Sequence, residues 1–190
     1  MIKLQFHMTT FINTYDENGI YYERPKNLSD EGIIETAQAN LAAQADDTYF
    51  DGVIDLNING QLFVGGRLGT SSLLLTWEDF TCFKERLSEG KAQITFLDMV
   101  VDFYILPVEE GYQLMTFELD LVVDANDYVI SSTTREVLSA IIPKDIFEEE
   151  VGRACGEFIQ FCEKANLPVN KSELASLKEH YLAFIEPKIR

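Results

Sequence analysis

Apolar and polar residues alternate along residues 101–123, "VDFYILPVEEGYQLMTFELDLVV", with one interruption at Glu109-Glu110-Gly111. Period-two alternation marks a half-buried β-strand, and so short an interruption joins two strands as an antiparallel hairpin. The pattern predicts three antiparallel strands over roughly 93–108, 112–123 and 128–141, too close together in sequence for crossover helices. Upstream, "VIDLNINGQLFVG" reads as another hairpin, turned at Asn59-Gly60 because both central residues of a type I′ turn need positive φ. The opening residues read as a strand, a "DENG" turn at Asp16–Gly19 and a short return strand, "IYYE".

Elsewhere the period lengthens to that of a helix. Ile34, Ala37, Leu41 and Ala45 recur at helical spacing after Ser29, which can cap. Trp77, Phe80, Phe83 and Leu87 share one face of a second helix; Thr76 and Asp79 stand at capping-box spacing at its start, and Gly90 stops it. Between these helices, "GGRLGTSS" (65–72) reads as a glycine-broken bend followed by "LLL" as strand, and without a lysine before its Ser/Thr it is not a phosphate loop. Two helices close the chain. One ends at Asn166 before Pro168 and carries Val151, Cys155, Phe158 and Cys162 on one side; the other follows Asn170, which with Glu173 resembles a capping box.

Turn chemistry also predicts a register. A three-residue loop, Glu109-Glu110-Gly111 with the glycine in αL, pairs Val108 with Tyr112 and thereby Leu106 with Leu114, Tyr104 with Thr116 and Asp102 with Glu118. Across "DAND", Val123 pairs with Tyr128, Asp120 with Ser131, Glu118 with Thr133 and Thr116 with Arg135. One face then gathers Asp98, Asp102, Glu118 and Asp120 beside Ser131, Thr133 and Arg135. The other carries Phe103, Ile105, Met115, Phe117, Leu119, Leu121 and Val123, and is the expected core. Like charges opposite one another weaken a ladder, so Asp102 against Glu118 calls for a reason.

The fold expected is α+β: a mainly antiparallel twisted sheet with helices packed on one face, two of them C-terminal, in one domain over residues 1–190. With 46% hydrophobic and 12% aromatic residues, the chain has enough to bury a core without staples. Cys82, Cys155 and Cys162 form no C-x-x-C and suit a reduced, cytoplasmic setting. Cys155 and Cys162 read as core thiols, and Cys82, off the Trp77 and Phe80 face, as the thiol nearest solvent. The N-terminus lacks the long apolar segment of a signal peptide, and no apolar run reaches a membrane-spanning length.

Charge narrows the function. The net charge is -17, and residues 101–150 alone hold 12 acids against 2 bases. Such a field repels phosphate backbones and anionic lipid and attracts basic surfaces, so neither nucleic acid nor membrane is expected as a partner and a basic protein is. Only His7 and His180 could serve as a triad base; there is no G-x-S-x-G and no zinc spacing, and no metal or cofactor is expected. The reading is a non-catalytic acidic protein-binding module, in general character like the small acidic immunity proteins of bacteria that neutralise a basic toxin; the analogy is one of composition. Its partner-binding residues are Asp98, Asp102, Glu118, Asp120, Ser131, Thr133 and Arg135. The alternatives are a hydrolase or metal-dependent enzyme using the carboxylates, and a structural or regulatory module whose acidic face is merely solvated.

Overall fold

The structure, a computed structural model, describes residues 4–14, 25–43, 49–63, 69–97, 101–123 and 129–186. The fold is α+β, and its antiparallel strands form two sheets rather than one. In the first, β1 (Phe6–Ile12) lies between β2 (Lys26–Asn27) and β3 (Gly52–Ile58), and β3 also pairs with β4 (Gln61–Phe63) and β5 (Gly69–Thr70). Asn59 and Gly60 hold φ of 53° and 81°, as the type I′ turn requires, and set Ile58 opposite Gln61. The "DENG" turn and "IYYE" strand lie outside the described residues.

Helix α1 (Ile33–Ala43) begins later than Ser29. Ser29 is held in a turn instead, its N–H and hydroxyl both donating to Asn27 Oδ1 at 2.9 Å. Its buried stripe is Ile33, Ala37 and Leu41, with Ile34 at the surface, and Ala45 lies outside the described residues. Helix α2 (Leu73–Arg86), which runs into a 3₁₀ turn at Leu87–Glu89, begins earlier than Thr76. Ser72 caps it, its Oγ accepting from Leu75 N–H at 3.4 Å, so the three leucines are its first turn and not strand. Thr76 therefore lies inside the helix, buried, and donates to the Thr95 carbonyl at 2.8 Å. Gly90 ends the segment at φ 92°, as predicted.

The second sheet has the order β6 (Ala92–Ile94), β7 (Val101–Val108), β8 (Gly111–Val123), β9 (Val129–Ile142), all antiparallel. Its register departs from the sequence reading by one residue. The β7–β8 loop is Glu109-Glu110 alone, Val108 pairs with Gly111, and the slip carries through to Asp102 opposite Phe117 and Val101 opposite Glu118. Gly111 is not an αL turn residue: its φ is 150°, and an added Cβ would stand 2.2 Å from the Ile142 carbonyl oxygen. Because strand side chains alternate, a slip of one exchanges faces. Phe103 and Ile105 are core as expected, but on β8 the core face is Tyr112, Leu114 and Thr116, while Met115 and Phe117 are half-buried on the opposite face.

Helices α3 (Lys144–Lys164) and α4 (Lys171–Ile185) close the fold, α3 packing on β1 and β8 and α4 on α2 and α3. Asn170 caps α4 by accepting from Ser172 and Glu173 N–H. Buried residues of both sheets and all four helices form one contiguous cluster, with Trp77, Phe80, Phe83, Phe103, Phe147 and Phe158 fully enclosed. Each such side chain contributes roughly 1.5–3 kcal/mol through burial. Among the described residues, no helix is long and apolar enough to cross a membrane.

Candidate functional site

Each sheet has edges, and unpaired backbone groups there need partners. β2 covers only Phe11 and Ile12 of β1, and along the rest of that side the partner is a pair of helix side chains. Glu150, on α3, accepts the Met8 N–H at 2.7 Å; Arg153 donates to the Met8 carbonyl at 2.7 Å and to both Glu150 oxygens, and His7 Nδ1 adds a contact at 3.2 Å. Burial pushes the Glu150 carboxyl up, but Arg153, the Met8 N–H and His7 together outweigh it and hold the group below the usual carboxylate range. At β6, Arg86 donates to the Gln93 carbonyl at 3.1 Å, while buried Asp79 accepts from the Thr95 N–H at 2.7 Å and pairs with Arg86. These charged residues are occupied in closing edges.

A cleft of about 470 Å³ opens between α2, α4 and the start of α3. Glu148 sits in it, accepting from Lys84 Nζ at 2.6 Å and Tyr112 Oη at 2.7 Å. Burial and the Glu148 contact push the Tyr112 phenol up, so it stays protonated as the donor. Cys82, on the cleft wall, is buried rather than solvent-facing, and burial followed by nearby Glu85 and Glu78 pushes its thiol up. Cys155 and Cys162 are core thiols as expected, Cys162 pushed up to about 12 chiefly by burial. None of the three is set up as a thiolate nucleophile. Among the described residues, no group of three or more His, Cys, Asp or Glu is arranged to hold a metal ion.

The predicted partner-binding residues divide between two faces. Glu118 stands opposite Arg135, with Nη2 to Oε2 at 2.5 Å, and Asp120 opposite Thr133, while Ser131 pairs with Val122. Glu118, Asp120, Ser131, Thr133 and Arg135 therefore keep one parity, one step along from the predicted pairing. Asp102 does not join them: it lies on the other face, where Gln93 donates to it at 3.1 Å. The expected repulsion between Asp102 and Glu118 thus does not arise. Asp98 lies outside the described residues.

That other face, turned away from the helices, is the surface the sequence reading missed. Its rows run Asp102–Phe117–Glu136, Gln93–Tyr104–Met115–Ser139 and Leu106–Gln113–Ile141. Phe117 and Tyr104 meet edge to face at 6.0 Å, Lys91 Nζ stands 3.8 Å from the centre of the Tyr104 ring, and Ile141 is 47% exposed. The result is an aromatic and methionine centre, the residue types enriched at interface centres, flanked by Asp102 and Glu136. The only signal in the sequence was the alternation itself, which marks both faces of β8 as partly apolar. No protein-family model, no curated protein and no solved structure matches the chain.

Proposed function

We propose that this chain is a non-catalytic protein-binding module that docks a basic partner on the outer face of the second sheet, as an inhibitor or immunity-type protein does. The observation that carries the reading is the row Asp102–Phe117–Glu136: a half-buried aromatic between two carboxylates, on a face no element of the fold covers among the described residues. An aromatic anchor with an anionic rim suits lysine or arginine side chains, which lay their stems on the ring and their charge on the carboxylates. Lys91 over Tyr104 is the same contact made within the chain. The excess of 12 acids over 2 bases in residues 101–150 adds long-range attraction for a basic surface.

The test uses the basic protein that copurifies with the chain or is encoded beside it. Phe117→Ala should weaken binding by about 2 kcal/mol, as loss of an interface anchor does. Asp102→Lys with Glu136→Lys should lower the association rate and its salt dependence, since attraction at a distance acts on encounter. Thermal unfolding should change little in either variant. Unaltered kinetics in both, with folding intact, would remove this face as the docking site.

A further inference from the structure

We propose that the outer edge of β9 is a strand-addition site, at which an extended lysine- or arginine-bearing segment of the partner pairs with residues 129–142; the inference rests on the docking reading above and supplies its mode. Strand β9 has 14 residues, ends the second sheet, and among the described residues pairs with β8 alone. Every second residue of such a strand turns its N–H and C=O away from its neighbour, and a row of free backbone groups is a template for another strand.

The treatment of the other edges gives this one its meaning. The fold closes the side of β1 beyond β2 with Glu150 and Arg153, and β6 with Asp79 and Arg86, spending one buried carboxylate and its arginine at each. Among the described residues, β9 has no comparable clasp from a helix. Residues 131–136 are exposed on both faces, and the strand contains neither proline nor lysine, the usual guards of an edge. Ser131, Ser132, Thr133 and Thr134 are too short to shield the backbone. Two irregularities bracket this stretch and leave 131–136 itself regular: one skips Ile130, between Val123 opposite Val129 and Val122 opposite Ser131, and the other skips Val137, between Phe117 opposite Glu136 and Thr116 opposite Leu138.

Charge selects the occupant. On the strand itself Arg135 is taken up by Glu118, leaving Glu136, and the acidic Glu109-Glu110 turn leads into Gly111 against Ile142. A second copy fits poorly: both copies carry -17. Antiparallel self-pairing about a two-fold axis sets the central residue opposite itself, so pairing over the whole strand places Arg135 on Arg135 or Glu136 on Glu136.

The probe is a short peptide of alternating lysine and valine, compared with the same peptide N-methylated on alternate amides to block one hydrogen-bonding edge. Residue-resolved amide exchange of the full chain is followed at low salt. The unmodified peptide should slow exchange at alternate residues of β9, and N-methylation should weaken binding about tenfold or more, as expected for loss of one or more net hydrogen bonds. Equal binding of both peptides without protection on β9 would overturn strand addition while leaving charge-driven docking standing. Binding of neither would sink the docking reading itself. A peptide-free chain that sediments as a dimer with β9 already protected would assign the edge to a second copy and overturn the proposal.

Discussion

Glu150 is a buried carboxylate that remains ionised because three donors face it, and that balance fixes a pH dependence. Its folded pKa lies below the ordinary value, so its contribution is complete at neutral pH, above the unfolded value, and is lost as pH falls through the folded one. Glu150→Gln should lower unfolding free energy at pH 7 by roughly 1.5 kcal/mol, the loss of charge-assisted hydrogen bonds, since exposed Arg153 keeps Glu157 as its remaining carboxylate. The difference from wild type should shrink in acid, and urea melts at neutral and acid pH read both quantities. Thr116 presents the opposite case. Its hydroxyl is fully buried and has no hydrogen-bond partner among the described residues. Thr116→Val keeps the shape and removes the unpaired group, and should raise the urea midpoint by an amount worth about 1 kcal/mol.

At the scale of elements, the β7–β8 hairpin shows where sequence patterns stop informing. Gly111→Ala should destabilise the protein by roughly 2–3 kcal/mol in the same melts, because the added Cβ meets backbone, which cannot move aside as a side chain would. That constraint comes from Ile142, far along the chain, and nothing in "VEEGY" announces it. The local reading placed the glycine in the loop, and one residue of error was enough to interchange the faces of β8. The core on β7 was legible because its one charged residue, Asp102, marks the parity opposite Phe103 and Ile105 as the outer one, whereas β8 offers Leu114 on one parity and Met115 and Phe117 on the other. Features decided within a few residues were read correctly: Asn59-Gly60, the stop at Gly90 and the Asn170 cap. The start of α2 was not, since "LLL" fits strand or helix and the deciding bond is from Ser72. The outer-face site was hidden for the same reason as the register.

For the whole molecule, the charge of -17 should act on folding and on the proposed docking with opposite consequences under salt. Like charges crowd when the chain folds, so screening should stabilise it: raising NaCl from about 10 mM to about 0.3 M, which shortens the Debye length from ~30 Å to under 10 Å, should raise the melting temperature by a few degrees. The same change should slow association with a basic partner. Calorimetry and stopped-flow binding over one salt series read both trends. A melting temperature that falls with salt would mean that the ion pairs at Glu148, Asp79 and Glu150 outweigh the general repulsion.

The clasp between Met8 and Glu150 spans 142 residues of chain. A ribosome adding 5–20 residues per second needs about 10–30 s to cover that distance, and for all of it the first strand waits without its clasp. The nascent chain therefore carries an unsealed side of β1 until α3 emerges. A fragment ending before α3 would keep that side open permanently. Its tendency to cling to other chains, compared with that of the whole protein, measures what Glu150 and Arg153 suppress.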